Sequence, residues 1–386
     1  MLCARAWLFV WPKRAGGDDM AKAVDRQFRL LYAVAIIIVV ASHCGRGGLS
    51  LFYDWFTPYA FHLGIFAFGS GYFYREQDAD NQLAYLIRKI RNFLVPVYVC
   101  NVFYGVFVAL LHAQGFSIGK ELSLYNLIVA PMTSGHQFMY NLGAWFVAPL
   151  FMVVIFNNIV YRIFKSIKYK DIAVFIIYCG LGILGVQLAR YGMNKGAWLV
   201  LGRMLFFLPM YGLGIVYRKY RFFDNVPSLW YFFVVFAVQL VCIHSNGGLK
   251  GNNACWMLNL GSGLRPFVLE FLGILFWLRV TKILEPVLGE NRFLDYVGRN
   301  TFSIMTHHLV GFMVVNLLFF TISEMTPLFA DFNIKLFKSS VWYRYLPDKL
   351  EQYNACYLAA GIAVPLLFSY GKDKILEKIN RLRNCV

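Results

Sequence analysis

Charged side chains are scarce in this sequence, and acidic ones are the scarcest. Asp, Glu, Lys and Arg make up 15% of the 386 residues, with 20 Asp and Glu against 37 Lys and Arg. A soluble domain carries about a quarter of its residues as these four types. Hydrophobic residues account for 59% and aromatic residues for 18%. The composition therefore excludes an ordinary soluble enzyme and indicates an integral membrane protein.

Metal-binding and disulfide patterns are also missing. The eight cysteines are scattered, form no CxxC pair and have no histidine partner at a spacing typical of a metal site. No HExxH-like motif occurs. We expect the cysteines to be small buried hydrophobic side chains, and we expect no metal cofactor. The excess of Lys and Arg is interpreted as a topology signal beside membrane helices, and we expect no nucleic-acid partner.

The chain lacks internal repeats and any room for a large soluble domain. No two halves share Gly or Pro breaks, which would have favoured an inverted-repeat transporter. The length suffices for about ten helices of about 20 apolar residues with short connections. Residues 1–24 are expected to be a disordered leader, with Met20 as an alternative start. Residues 25–372 should form the membrane domain and residues 373–386 a basic cytoplasmic tail.

Apolar runs predict an all-α, polytopic membrane protein with about ten transmembrane helices. The expected spans are 29–47, 58–74, 93–112, 138–161, 172–190, 198–217, 229–244, 262–281, 301–322 and 355–371. Lys and Arg concentrate in alternate connections, so the positive-inside rule predicts that both termini are cytoplasmic. The exception is the outer loop 323–354, which carries Lys335, Lys338, Arg344 and Lys349. We expect a multi-pass protein of the cell (inner or plasma) membrane.

Titratable side chains lie inside several spans. With a rise of about 1.5 Å per residue, His43, His62 and Arg203 are each roughly 20 Å from the cytoplasmic boundary. Such groups must face a polar cavity or a partner, so their shared level indicates a functional site in the outer half of the membrane. The alternative is that each histidine is a core residue with satisfied hydrogen bonds. His307 and His308 lie roughly 10 Å from the boundary, which argues against a contact with His43.

Basic side chains gather at the predicted cytoplasmic ends of the second and third spans. They are Arg75, Arg88, Lys89 and Arg91. One interpretation is that they only set the topology. The other is a patch that binds an anionic cytosolic group such as a nucleotide phosphate.

Six stretches of the sequence occur in an order that is typical of one membrane family. They are LYAVAIIIVVASHC, FHLGIFAFGSGYFYR, RNFLVPVYVCN, NLGAWFV, GRMLFFLPMYGLG and TFSIMTHHLV. From about residue 25 to 372 the chain resembles acyltransferase family 3. Two positions depart from that family: Tyr32 stands where many members carry Arg or Lys, and Gly64 stands where many carry Pro. Arg29, one turn before Tyr32, could reach up in its place, or another cation could take the role.

The resemblance implies transfer of an acyl group, usually acetyl from acetyl-CoA, to a hydroxyl of a cell-surface carbohydrate or its lipid-linked precursor. His43 matches the essential histidine of the family. An imidazole has an unperturbed pKa of about 6.5, so His43 is expected to act as base or nucleophile. Arg203 is expected near the thioester carbonyl or an acceptor anion. His62 and His308 complete the expected catalytic set.

The two substrates are expected at different ends of the spans. Arg75, Lys89 and Arg91 should hold the phosphates of acyl-CoA on the cytoplasmic side, and Asn141 and Trp145 should contact the saccharide acceptor outside. Without the family motifs, the same polar level would also suit a transporter or flippase of a lipid-linked saccharide. A structural scaffold within a polysaccharide machine is a third interpretation. The sequence names neither the acceptor sugar nor the size of the acyl group.

Overall fold

The computed structural model describes residues 19–44, 58–76, 81–221, 223–244, 255–260 and 263–384. Over these residues the chain is helical and contains no β-strand. The helices are α1 Asp19–His43, α2 His62–Tyr72, α3 Gln82–Lys89, α4 Val95–Ala113, α5 Val147–Ile163, α6 Lys170–Arg190, α7 Gly196–Tyr220, α8 Ser228–His244, α9 Arg265–Leu288, α10 Arg292–Arg299, α11 Thr301–Met325, α12 Ile334–Ser339 and α13 Asn354–Asn384. Helix α1 thus begins inside the segment expected to be a disordered leader, and residues 1–18 lie outside the described residues.

Seven helical stretches of the described chain are long and apolar enough to cross a membrane. They are Arg26–His43, Gln82–Ala113, Leu142–Ile163, Lys170–Arg190, Gly196–Tyr220, Thr301–Met325 and Glu351–Ile379. Each of the ten spans expected from the sequence overlaps a helix. Three of the ten expected spans are not among these seven stretches. They correspond to α2 and α8, which are shorter, and to α9, which carries more charged residues. The chain is therefore a multi-pass, all-helical membrane protein.

Helix α7 lies at the centre of the bundle and packs closely on α2. Of the most apolar window of α7, 89% is buried by the rest of the protein. A Cβ atom added to Gly71 of α2 would lie 1.9 Å from the carbonyl oxygen of Tyr211, and one added to Gly214 of α7 would lie 2.0 Å from that of Phe68. Small residues let membrane helices approach at backbone distance, and this contact fixes the position of α2.

Two further close contacts bring the site-forming segments together. Gly143, in a 3-10 turn over Leu142–Phe146, packs on the backbone of Met305 in α11. Gly311, six residues after Met305 in α11, packs on the backbone of Ala360 in α13. The end of α1, the start of α2, the turn before α5 and the first half of α11 meet at one end of the bundle. The end of the bundle at which α1 stops is called the His43 end below.

The start of α1 lies at the opposite end and is held by ion pairs. Arg29 Nε lies 2.6 Å from Asp295 Oδ1 of α10. This pair lies about 20 Å along the helix from His43, so Arg29 does not reach up to replace the missing family cation. Tyr32, which occupies that position, is buried and stacks on Phe66 of α2 with 5.5 Å between ring centroids.

Candidate active site

A cavity of about 600 Å³ lies at the His43 end of the bundle. Among the described residues, its walls come from the ends of α1 and α2, the segment before α5, residues 255–256, the first half of α11 and the loop before α13. Three histidines and three tryptophans line it, namely His43, His62, His136, Trp145, Trp256 and Trp342. Arg344 also lines it, whereas no described Asp or Glu does. The cavity is therefore aromatic and positively charged.

His43 pairs with His308 across the interface of α1 and α11. His43 Nδ1 lies 2.9 Å from His308 Nε2, and the two rings are parallel within 7° with centroids 4.9 Å apart. The depth argument from the sequence, which placed the two residues at different levels, was wrong on this contact. It counted backbone rise only, and it ignored helix tilt, about 20° on average, and the reach of both side chains.

The hydrogen bonds of His308 determine which nitrogen of each ring carries a proton. His308 Nδ1 lies 3.1 Å from the carbonyl oxygen of Ile304 and 3.0 Å from that of Met305. A carbonyl oxygen only accepts, so Nδ1 of His308 donates, and in the neutral ring Nε2 is then an acceptor. His43 Nδ1 must donate to that acceptor, which leaves the lone pair on His43 Nε2. The cavity is thus lined by an imidazole whose Nε2 is free of a proton.

The neighbouring histidine, His307, faces another part of the bundle. Its Nδ1 lies 2.6 Å from the hydroxyl of Tyr104 on α4, and its ring contacts Phe368 on α13. His307 does not line the cavity described above. Adjacent residues on a helix point about 100° apart, and accordingly His307 and His308 contact different parts of the bundle.

His62 lines the same cavity as His43, and Tyr59 has ring contacts with both histidines. The Tyr59 ring packs edge-on against His62 with centroids 5.3 Å apart and lies 6.2 Å from the ring of His43. The Tyr59 hydroxyl donates to the carbonyl oxygen of Ser42, 3.2 Å away. His43 and His62, which the sequence places at a similar depth, therefore line the same cavity.

Arg203 lies behind the cavity wall. Its guanidinium donates to the carbonyl oxygens of Thr133, Ser134 and Trp256, and it lies over the Trp145 ring, 4.5 Å from the centroid. The side chain is 1% exposed and does not line the cavity. An intramembrane arginine needs acceptors, and here backbone carbonyls of two connecting segments supply them. Arg203 thus holds those segments and Trp145 in place.

The two expected acceptor-binding residues differ in position. Trp145 lines the cavity, whereas Asn141 does not and is 1% exposed. Asn141 Oδ1 is buried and has no hydrogen-bond partner among the described residues.

Sequence reasoning missed His136, Trp256, Trp342 and Arg344. The His136 ring packs edge-on against Trp256 with centroids 5.1 Å apart. Burial and the nearby Arg203 charge lower the pKa of His136 to about 4, so it is neutral near pH 7.

Arg344 donates to the backbone carbonyl of His43. In the sequence, Arg344 stands out only as one of four cations in the loop 323–354, where the positive-inside rule expects few. That excess of cations was the one sequence signal for a functional role of Arg344.

The basic residues expected to bind CoA do not line the cavity. From His62 the chain runs through α2 to Arg75, roughly 20 Å away if counted as helix. Arg75 is exposed, and Lys89 Nζ lies over the rings of Tyr85 and Phe93. Arg91 Nε is buried and has no hydrogen-bond partner among the described residues. Within the same described part of the chain, no group of three or more His, Cys, Asp or Glu is arranged to hold a metal ion.

Comparison with known proteins places this architecture in a family. The model of the family described as an acyltransferase domain matches residues 26–370, nearly the whole chain. Comparison of the chain with curated proteins and with solved structures found no match. The family match covers all the helices that form the cavity. The chain therefore belongs to acyltransferase family 3 and is a membrane acyltransferase.

Proposed function

We propose that this protein transfers an acyl group, acetyl in the simplest case, from acyl-CoA to a hydroxyl of a cell-surface or lipid-linked saccharide. The observation that carries the proposal is the His43–His308 pair at the cavity. Acyl transfer to a hydroxyl needs a base or a nucleophile, and His43 Nε2 offers a lone pair for either role.

In the direct reaction, His43 Nε2 takes the proton of the acceptor hydroxyl while the hydroxyl oxygen bonds to the thioester carbonyl carbon. The carbon–sulfur bond then breaks, and the imidazolium returns the proton to the CoA thiolate. His43 Nδ1–H donates to His308 throughout, which stabilises the imidazolium while it exists. In the covalent alternative the same lone pair attacks the thioester carbonyl carbon, and the carbon–sulfur bond breaks to release the CoA thiolate. The acceptor hydroxyl then takes the acyl group from the acyl-imidazole, and its proton goes to the thiolate.

The two substrates approach from opposite ends in this proposal. The concentration of Lys and Arg in alternate connections supports a cytoplasmic location for the end at which α1 begins. Arg75, Lys89 and Arg91 would hold the CoA phosphates there, and the His43 end would face the saccharide outside the cytoplasm. Trp145 on the cavity wall supports acceptor binding, since an indole has an apolar face and one polar N–H group.

The experiment is transfer of label from radioactive acetyl-CoA by the purified protein in the presence of envelope glycans. His43→Ala should reduce glycan labelling at least about 100-fold, because general base catalysis contributes that much or more. His112→Ala is the matched control, since His112 bonds the carbonyl of Ile118 and does not line the cavity. Full transfer by His43→Ala would reject the assignment. Translocation of a lipid-linked saccharide without labelling would support the flippase instead.

A further inference from the structure

The loop between α11 and α13 folds over the cavity and is fixed to both helices. Asn316 of α11 donates to the carbonyl oxygen of Tyr343 at 2.7 Å. The backbone N–H of Tyr345 donates to the hydroxyl of Tyr357 on α13 at 2.8 Å. Arg344 lies between these two anchored positions, so its backbone is held at the cavity edge.

Among the described residues, no carboxylate neutralises the guanidinium of Arg344. Among the described residues it makes no ion pair, and no described Asp or Glu lines the cavity. One Nη group donates to the His43 carbonyl, whereas Nε is buried and has no hydrogen-bond partner in the described structure. The guanidinium lines the cavity and makes one hydrogen bond to described residues, through an Nη group, so its remaining accessible N–H donors favour a ligand that supplies acceptor oxygens.

Tryptophan side chains line the same cavity as this cation. Trp342, two residues before Arg344, has its ring centroid 5.4 Å from that of His43 and is 40% exposed. Trp256 also lines the cavity and is 41% exposed. An exposed indole face suits the apolar C–H face of a sugar ring, whose hydroxyls then point to polar groups.

We propose that Arg344 binds an anionic group of the acceptor, a carboxylate or a phosphate on a sugar, while Trp342 packs against the sugar ring. A guanidinium matches both oxyanions through paired N–H donors. Because Arg344 also holds the His43 backbone, an anion bound there keeps a hydroxyl of the same sugar near His43. This inference rests on the proposed function and adds that the acceptor is an acidic saccharide.

The test measures binding to the purified full chain without acyl-CoA, by saturation-transfer difference NMR titration. The probes are methyl β-glucoside, its C6 carboxylate analogue methyl β-glucuronide, and methyl β-glucoside 6-phosphate. The variants are Arg344→Gln, Arg344→Lys and the control Lys335→Gln, which removes one exposed cation from the same loop outside the cavity.

At least one anionic probe should bind the wild-type chain about tenfold or more tightly than the glucoside, since charged hydrogen bonds are the stronger ones. Arg344→Gln should remove that difference, Arg344→Lys should restore part of it, and Lys335→Gln should keep it. The carboxylate and phosphate arms identify which anion is preferred. Equal binding of all three probes, or no binding of either anion, overturns the inference, and this comparison on the wild-type chain needs no variant to fold. Anion binding without acyl transfer would reject the proposed function only.

Discussion

At the scale of single residues, the protonation of His43 in the proposed reaction depends on backbone carbonyls of α11. The carbonyl oxygens of Ile304 and Met305 hold the Nδ1 proton of His308, and His308 Nε2 then accepts from His43. A partner that fixes the tautomer of a catalytic imidazole also fixes its orientation. In the proposed reaction His308, which the sequence suggested as a catalytic residue, therefore acts as a positioning residue.

Replacing His308 by Ala should lower kcat for acyl transfer by about 10- to 100-fold, because the Nδ1 proton of His43 loses its acceptor. His308→Gln should recover part of the rate, since a Gln side-chain oxygen can accept in place of Nε2. The KM for acyl-CoA should stay constant in both variants. The measurement is steady-state transfer of labelled acetyl groups. An equal loss in the Ala and Gln variants would indicate a purely packing role.

At the scale of elements, glycines set how closely the helices approach each other. The α2–α7 contact is made at backbone distance, and it positions His62 at one end of α2 and Arg203 near the start of α7. Packing and not the hydrophobic effect drives such contacts in a lipid environment. The geometry of the cavity thus depends on residues that do not line it.

Gly71→Ala should destabilise the protein by about 1 to 3 kcal/mol, because the new methyl group would overlap the backbone of Tyr211. Gly180→Ala is the matched control, since a Cβ there meets no atom within 4 Å and alanine favours a helix. Thermal unfolding of both variants in the same detergent measures the effect. Equal transition temperatures for Gly71→Ala and the wild type would show that α2 and α7 can accommodate the added methyl group without loss of stability.

At the scale of the whole molecule, the cavity joins segments that are far apart along the chain. His43 and His308 are separated by 265 residues, and His43 and Arg344 by 301. Both pairs lie at the same end of the bundle. In the proposed reaction this end faces away from the cytoplasm, so the orientation of the protein decides which substrate reaches the cavity directly.

Cysteine labelling measures that orientation. In a chain without its native cysteines, Lys335→Cys in α12, between α11 and α13, should react with a membrane-impermeant maleimide added to intact cells. Lys168→Cys, in the connection between α5 and α6, should react only after the cells are opened. Both lysines are exposed, so access depends on the side of the membrane. The reverse pattern would contradict the orientation and place the His43 end in the cytoplasm.

The features that could be predicted from the sequence are those that depend on residues close together in the chain, such as apolar runs and short motifs. Apolar runs of membrane length predict helices without reference to the rest of the fold, and each expected span overlaps one. Short motifs identified the family, together with His43, His62 and Trp145, all of which line the cavity. Depth along a helix is also a local property, and it correctly grouped His43 with His62.

Tertiary structure decided which of these side chains meet. Backbone rise orders residues along one axis, but it does not give helix tilt, the face that a side chain occupies or the path of a loop. The contact of His43 with His308, the place of Arg203 behind the wall and the fold of Arg344 over the cavity all depend on those quantities. The sequence by itself thus determined that this chain is a membrane acyltransferase and identified His43 as its candidate catalytic residue. Only the packing of distant helices and loops decided which nitrogen of that histidine is free and which cation lies beside it.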